Sequence, residues 1–172
     1  MAAFVGSEWE RKGLESAIRA LSLAPDWTLV IAGGGEQARY RRLAESVGVG
    51  ESVRWLGVTR DVQLLYQLAD AFLLPSSYEA FSIATLEAAA SGLPMLVTPV
   101  NGARELIKDG QNGFLIGREP DQIAERLNRL AADSTLRESL GKAARESALK
   151  FGAGRMVEQY SALYHRLTPI RP

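Results

Sequence analysis

Two adjacent cations, Arg11 and Lys12, stand where a loop enters a helical pattern, in the stretch Gly6-Ser7-Glu8-Trp9-Glu10-Arg11-Lys12-Gly13. A cation at a helix start opposes the helix dipole by ~0.3–1 kcal/mol. An anion bound between the pair and the free backbone N–H groups reverses that penalty. The plainer reading is two solvated surface cations. A second stretch runs Pro75-Ser76-Ser77-Tyr78-Glu79-Ala80-Phe81-Ser82-Ile83-Ala84-Thr85-Leu86-Glu87. Ser82 is a credible N-cap there, which leaves the N–H groups of Ile83 and Ala84 free to meet phosphate oxygens. Glu79 lies before this helix start and Glu87 about a turn inside it. Two carboxylates around a phosphate-ready helix end make sense if something neutral lies between them and the phosphate. Sugar hydroxyls fit, because a carboxylate accepts strong hydrogen bonds from O–H donors. The plainer reading has Glu87 favouring the helix dipole and Glu79 solvated.

Other candidates are weaker. In Thr98-Pro99-Val100-Asn101-Gly102-Ala103-Arg104-Glu105, Gly102 permits close backbone approach. Glu105 there either accepts from ligand hydroxyls or favours its helix start. Gly33-Gly34-Gly35 lacks the third glycine of a dinucleotide fingerprint and reads as a flexible turn. His165 reads as a surface residue on a terminal helix, and the stripe Val157, Tyr160, Tyr164 as packing.

The elements that must position these residues are legible as apolar runs. Ala3–Gly6, Trp27–Ala32, Val53–Leu56, Ala71–Leu74, Met95–Thr98 and Phe114–Ile116 read as strands. Helical patterns separate them, and from Asp121 onward the pattern is only helical. Runs with little alternation are buried on both faces, as in a parallel sheet between helix layers. The expectation is one α/β domain with a doubly wound, mostly parallel six-stranded sheet followed by C-terminal helices. Ligands of such folds bind at the carboxyl ends of the strands, which directs attention to the segments after Gly6, Ala32, Leu56, Leu74 and Thr98.

Composition removes several function classes. Lys plus Arg and Asp plus Glu are 20 each, so nothing calls for nucleic acid as a partner. The absence of cysteine excludes a disulfide frame and a thiolate metal site, and one histidine makes a Ser-His-Asp triad or a His-rich metal site unexpected. No apolar run approaches the roughly 20 residues of a membrane span. The start at Met1-Ala2-Ala3-Phe4 carries no basic leader and suggests a trimmed chain.

Taken in order, these junctions resemble the C-terminal domain of the glycosyltransferase family 4 type, which has the two-domain GT-B fold. The most specific part is E-x7-E, here Glu79 to Glu87, with Ala88-Ala89-Ala90-Ser91-Gly92-Leu93-Pro94 behind it. Ala69-Asp70 before it, then Gly102 with Glu105 and Asp109-Gly110-Gln111-Asn112-Gly113-Phe114 after it, continue the series. The resemblance implies that Arg11 and Lys12 contact a donor diphosphate, that Glu87 binds the ribose and that Glu79 lies beside the donor sugar. It implies that Ser82, Ile83 and Ala84 offer N–H groups to phosphate, and that the loop at Gly57-Val58 flanks the base. Many members carry Gly-Arg where this chain has Gly6-Ser7. The Gly-Ser form followed by Arg-Lys-Gly resembles the lipopolysaccharide core glucosyltransferases, which use UDP-glucose.

The activity implied is retaining transfer of a hexose from a nucleoside diphosphate sugar, a UDP-sugar, to an acceptor hydroxyl in cell-surface glycan synthesis. Neither metal nor cofactor is expected beyond the donor substrate. The implied partners are the donor, a glycan or glycolipid acceptor and an N-terminal acceptor domain that precedes this region. The implied location is cytoplasmic, with peripheral contact at the inner face of the membrane through that other half. Transfer is not expected of this chain alone. Rival readings are a GT-B sugar epimerase, a non-catalytic nucleotide-sugar-binding module, and an unrelated dinucleotide domain, against which the missing fingerprint argues.

Overall fold

Four of the six strands are apolar at every position because helices cover both faces of the sheet. The computed structural model describes residues 1–167. Its strands are β1 (Ala2–Val5), β2 (Leu29–Ala32), β3 (Val53–Gly57), β4 (Ala71–Leu74), β5 (Met95–Val97) and β6 (Gly113–Leu115). Between them lie α1 (Leu14–Leu21), α2 (Gln37–Ser46), α3 (Val62–Leu68), α4 (Ile83–Ala90) and α5 (Ala103–Leu106). Then come α6 (Pro120–Ala132), α7 (Ser134–Ala148) and α8 (Ala153–Leu167). Only β3 shows clear alternation, with Val53 buried and Arg54 exposed, as suits an edge strand.

All pairings are parallel, in the order β3-β2-β1-β4-β5-β6. The sheet is therefore wholly parallel, where a mostly parallel one is expected from sequence. Strand order reverses between β1 and β4, so the loops after these two strands diverge and leave a crevice at their carboxyl ends. Right-handed crossovers put α1 and α2 on one face and α3, α4 and α5 on the other. α6 packs on α1, and α7 on α4. Phe4, Phe72, Met95 and Phe114 lie in the fully buried core. Trp27 falls before β2 rather than inside it; its indole N–H donates to Leu127 O at 2.9 Å and ties α6 to the sheet.

Two expectations are corrected. Arg11 and Lys12 do not stand in the first turn of α1. The helix begins at Leu14, and Gly13 caps it with a left-handed backbone, φ 76°. The pair occupies the preceding turn, so the dipole penalty does not apply to it as stated. The stripe Val157, Tyr160, Tyr164 is not buried: these residues are 58%, 56% and 61% exposed, and the Tyr160 and Tyr164 rings lie 6.4 Å apart on the helix surface. His165 is exposed, as expected, with Nδ1 2.7 Å from Ser161 O. Among the described residues, no helix is long and apolar enough to cross a membrane.

Candidate functional site

The two strands flanking the crevice supply its charged groups. The loop after β1 turns sharply at Glu8, the described chain's non-glycine residue with a positive φ, 56°. That turn carries Arg11 and Lys12 back toward β4. The β4 loop receives them: Ser77 donates its backbone N–H to Arg11 O at 2.8 Å and its hydroxyl to the same oxygen at 3.1 Å. Lys12 Nζ then donates to Glu79 Oε1 at 2.7 Å, with both side chains nearly buried. Ser76 Oγ donates to the same oxygen at 2.8 Å, and Arg11 Nη1 lies 3.3 Å from it. Arg11 Nε also pairs with Glu8 Oε2 at 2.8 Å.

Three donors thus converge on Glu79 Oε1. Among the described residues no hydrogen bond falls on Oε2, and no buried side-chain polar atom lacks a partner. Burial alone pushes the Glu79 carboxyl up. The hydrogen bonds from Lys12 and Ser76, with the charges of Lys12 and Arg11, outweigh burial and hold it below the ordinary carboxylate range. The solvated readings of Lys12 and Glu79 are therefore wrong: they form a buried ion pair. Ser76, which sequence reasoning passed over, is itself fixed, because Thr98 Oγ1 donates to its carbonyl at 2.6 Å.

The helix after this loop starts as expected. Ser82 caps α4, its Oγ accepting from Thr85 N at 3.3 Å and from the Thr85 hydroxyl at 2.7 Å. Among the described residues, the N–H groups of Ile83 and Ala84 have no protein acceptor. They are the two donors left for an anion. Glu87 is exposed on the next turn and accepts from the Tyr66 hydroxyl at 3.3 Å. It opens onto a cleft of about 560 Å³ between α3 and α4, lined also by Arg60, Gln63, Ser91 and Arg145. The two carboxylates therefore have different surroundings: Glu79 belongs to the cation cluster at the crevice, Glu87 to the neighbouring cleft.

The glycines after β2 close the site from the other side, and Gly33 there allows a close backbone approach. Gly33 has φ 135°, and a Cβ there would lie 2.1 Å from Gly6 O. A Cβ on Gly6, φ 136°, would meet Lys12 Cε at 2.4 Å. Lys12 reaches Glu79 over the bare backbone of Gly6, and Gly33 lets that backbone lie close to β2. Ser7 Oγ accepts from Gly34 N at 3.3 Å, so it binds the β2 loop. Trp9, also passed over, anchors the β1 loop. Its indole donates to Gly6 O at 2.8 Å, and its ring meets Tyr40 at 5.6 Å and Trp55 at 5.5 Å. Arg118 Nε braces the β4 loop at Pro75 O, 3.1 Å.

Val58 is exposed beyond β3, beside Gly34, and does not line the cleft that holds Glu87. Gly102 caps the single turn of α5, where its missing Cβ makes room for the Phe81 ring. Glu105 is exposed on that turn. Neither joins the cation cluster.

Residues 1–147 match the family model of the glycosyl transferases, group 1. The D-inositol 3-phosphate glycosyltransferase of Corynebacterium jeikeium is 33% identical over 181 aligned positions, which cover 96% of this chain and 43% of that protein. Among solved structures, WaaG, a glycosyltransferase involved in lipopolysaccharide biosynthesis, is 31% identical with a TM-score of 0.78, covering 86% of this chain and 42% of WaaG. Anabaena Alr3699/HepE, solved in complex with UDP, shares the fold at 24% identity and a TM-score of 0.89, over 96% of this chain and 48% of its own. The chain spans less than half the length of the curated relatives it matches.

Proposed function

The chain belongs to the glycosyl transferases of group 1, and on that premise we propose that it is the donor-binding part of a retaining hexosyltransferase. The donor is a nucleoside diphosphate sugar, a UDP-sugar, and the acceptor is a hydroxyl of a glycan or glycolipid in lipopolysaccharide or other cell-surface glycan synthesis. One observation carries the reading. At the point where strand order reverses, Lys12 and Arg11 share Glu79 with Ser76, three residues before a helix start with two unengaged N–H groups.

In this reading Arg11, Lys12 and the Ile83 and Ala84 N–H groups hold the diphosphate, and Glu87 holds the ribose. The free Oε2 of Glu79 accepts from a hydroxyl of the transferred sugar. The acceptor oxygen bonds to the anomeric carbon on the face that the diphosphate leaves. The C–O bond to the phosphate breaks with its electron pair going to the diphosphate oxygen, and the acceptor proton passes to that oxygen. Negative charge grows on the leaving group, where the cations and N–H groups are fixed in advance. Glu79 holds the sugar and makes no covalent intermediate. The acceptor is bound by a second, N-terminal domain, against which the exposed face of α8 packs. The protein acts in the cytoplasm, in peripheral contact with the membrane.

Calorimetric titration of this chain tests the donor site. It is expected to bind UDP more tightly than uridine. Arg11→Gln should weaken UDP by tenfold or more, about 1.5–3 kcal/mol for a charge-assisted contact, and leave uridine unchanged. Equal losses for both ligands would show that Arg11 is not a phosphate ligand. Two further variants separate the carboxylates. Glu87→Gln should weaken UDP and UDP-glucose alike, since both carry the ribose; Glu79→Gln should weaken UDP-glucose and spare UDP. Parallel losses in the two variants would sink the division.

A further inference from the structure

Resting on the assignment of Glu87 to the ribose, we propose that Tyr66 is a positioning residue: its phenol holds one oxygen of Glu87 so that the other is presented to the ribose hydroxyls. A carboxylate on an exposed helix face samples many rotamers, and a ligand that needs one of them must restrict the rest. Tyr66 does this before the ligand arrives. It lies on α3, which precedes β4, and is 3% exposed. Its ring packs edge-on against Phe72 of β4, with centroids 6.1 Å apart. The ring position is therefore set by the core of the sheet.

From that fixed position the hydroxyl reaches Glu87 Oε2 at 3.3 Å across the α3–α4 groove. The direction of this bond is forced. An ionised carboxylate can only accept, so the phenol donates. Burial, then the neighbouring charge of Glu87 and the bond itself, push the Tyr66 hydroxyl well above its ordinary value, which keeps it protonated and donating. Among the described residues, no other side chain bonds to the Glu87 carboxylate, and the Ser91 hydroxyl donates to the Glu87 backbone carbonyl at 2.9 Å. Arg60 and Arg145 line the same cleft without an ion pair to Glu87 among the described residues, and Arg145 Nη1 is engaged with Ala90 O at 2.7 Å. Glu87 Oε1 carries no hydrogen bond among the described residues while Oε2 is held. Tyr66 touches no reacting atom; it acts through Glu87.

The test compares UDP with 2′,3′-dideoxyuridine diphosphate, which lacks the hydroxyls that Glu87 would accept from. Affinities of the 172-residue chain for both are measured by calorimetry. Wild type should prefer UDP. Tyr66→Phe, which keeps the buried ring, should lower UDP affinity about three- to tenfold and leave the dideoxy ligand unchanged. In a Glu87→Gln background, Tyr66→Phe should have no further effect on UDP. A merely structural role would weaken both ligands together, and that result overturns the proposal. Glu87→Asp, at an exposed position, draws the carboxylate away from the phenol without touching the core. It too should lose the preference for UDP, and full retention overturns the proposal. A wild type without preference would overturn the ribose assignment and the proposal with it. A preference that survives intact in Tyr66→Phe overturns the proposal alone.

Discussion

Lys12→Met is expected to destabilise the chain more than any other single change among the side chains of the cation cluster, by about 3 kcal/mol, because it leaves a buried carboxylate short of its closest cation. Methionine keeps most of the stem of Lys12, so the loss is one of charge rather than packing. Glu79 would retain only Ser76 at 2.8 Å and the more distant Arg11 Nη1 at 3.3 Å. Glu79→Gln should cost less, about 1–2 kcal/mol, because its amide oxygen still accepts from Lys12. The double variant should be more stable than Lys12→Met alone, since no charge is then left unpaired. Urea denaturation at pH 7 followed by tryptophan fluorescence gives all three values. Simple addition of the two single costs would show that Lys12 and Glu79 do not interact in solution.

The same pair predicts a pH dependence. The folded carboxyl of Glu79 lies below its unfolded value. The stability it contributes is therefore fully present above the ordinary carboxylate range, about 4.3 for glutamate, and is lost as pH falls through the folded value. Without Lys12, burial acts against fewer cations and the folded carboxyl moves up. The gap between wild type and Lys12→Met should then narrow on acidification, as Glu79 takes up a proton in both. A gap that stays constant from neutral pH down through the carboxylate range would assign the destabilisation to packing. Loss of UDP affinity in Lys12→Met has to be read against this stability loss, whereas Arg11, with a third of its side chain exposed, gives the cleaner phosphate test.

The sheet was legible because parallel strands buried on both faces leave apolar runs that no surface helix shows. All six runs became strands, with shifts of one or two residues at their ends, such as β2 beginning at Leu29 and β5 ending at Val97. The cap at Ser82 was legible for a local reason: an N-cap and its N–H groups lie within a few residues of one another. The bond from Lys12 to Glu79 was not, because it spans 67 residues and no periodicity reports on contacts across the β1–β4 reversal. Ser76 and Trp9 escaped for the same reason; nothing beside them in sequence reveals what they touch. A weaker signal existed for Tyr66, since a tyrosine on the inner face of a helix must find a partner for its hydroxyl. On α8 the apolar stripe was visible, but periodicity says only that a face is apolar, not what covers it.

Gly33→Ala is expected to be the most damaging substitution of one small residue for another, at roughly 2–6 kcal/mol from backbone strain and overpacking together. Its φ of 135° is one that side-chain-bearing residues avoid, and the new Cβ would sit 2.1 Å from Gly6 O and 2.6 Å from Gly6 C. Neither atom can yield cheaply. Gly6 N donates to Ala32 O and Gly33 N to Gly57 O, both at 2.8 Å, so displacing either backbone opens the carboxyl ends of β1, β2 and β3 together. Against a domain stability of about 5–15 kcal/mol this approaches loss of the fold. Gly6→Ala makes the instructive contrast. Its φ of 136° is strained as well, but its Cβ would meet the flexible stem of Lys12, at Cε 2.4 Å and Cδ 2.8 Å. The stem can move, and in moving it leaves Glu79. Gly6→Ala should therefore lose less stability than Gly33→Ala and more diphosphate affinity than that loss of stability explains. Thermal denaturation and UDP titration on the two variants check this. A Gly33→Ala protein that melts within a few degrees of wild type would show that the β2 turn is the flexible one its sequence suggests. A Gly6→Ala protein that binds UDP unchanged would show that Lys12 reaches the diphosphate by a route that does not pass over Gly6.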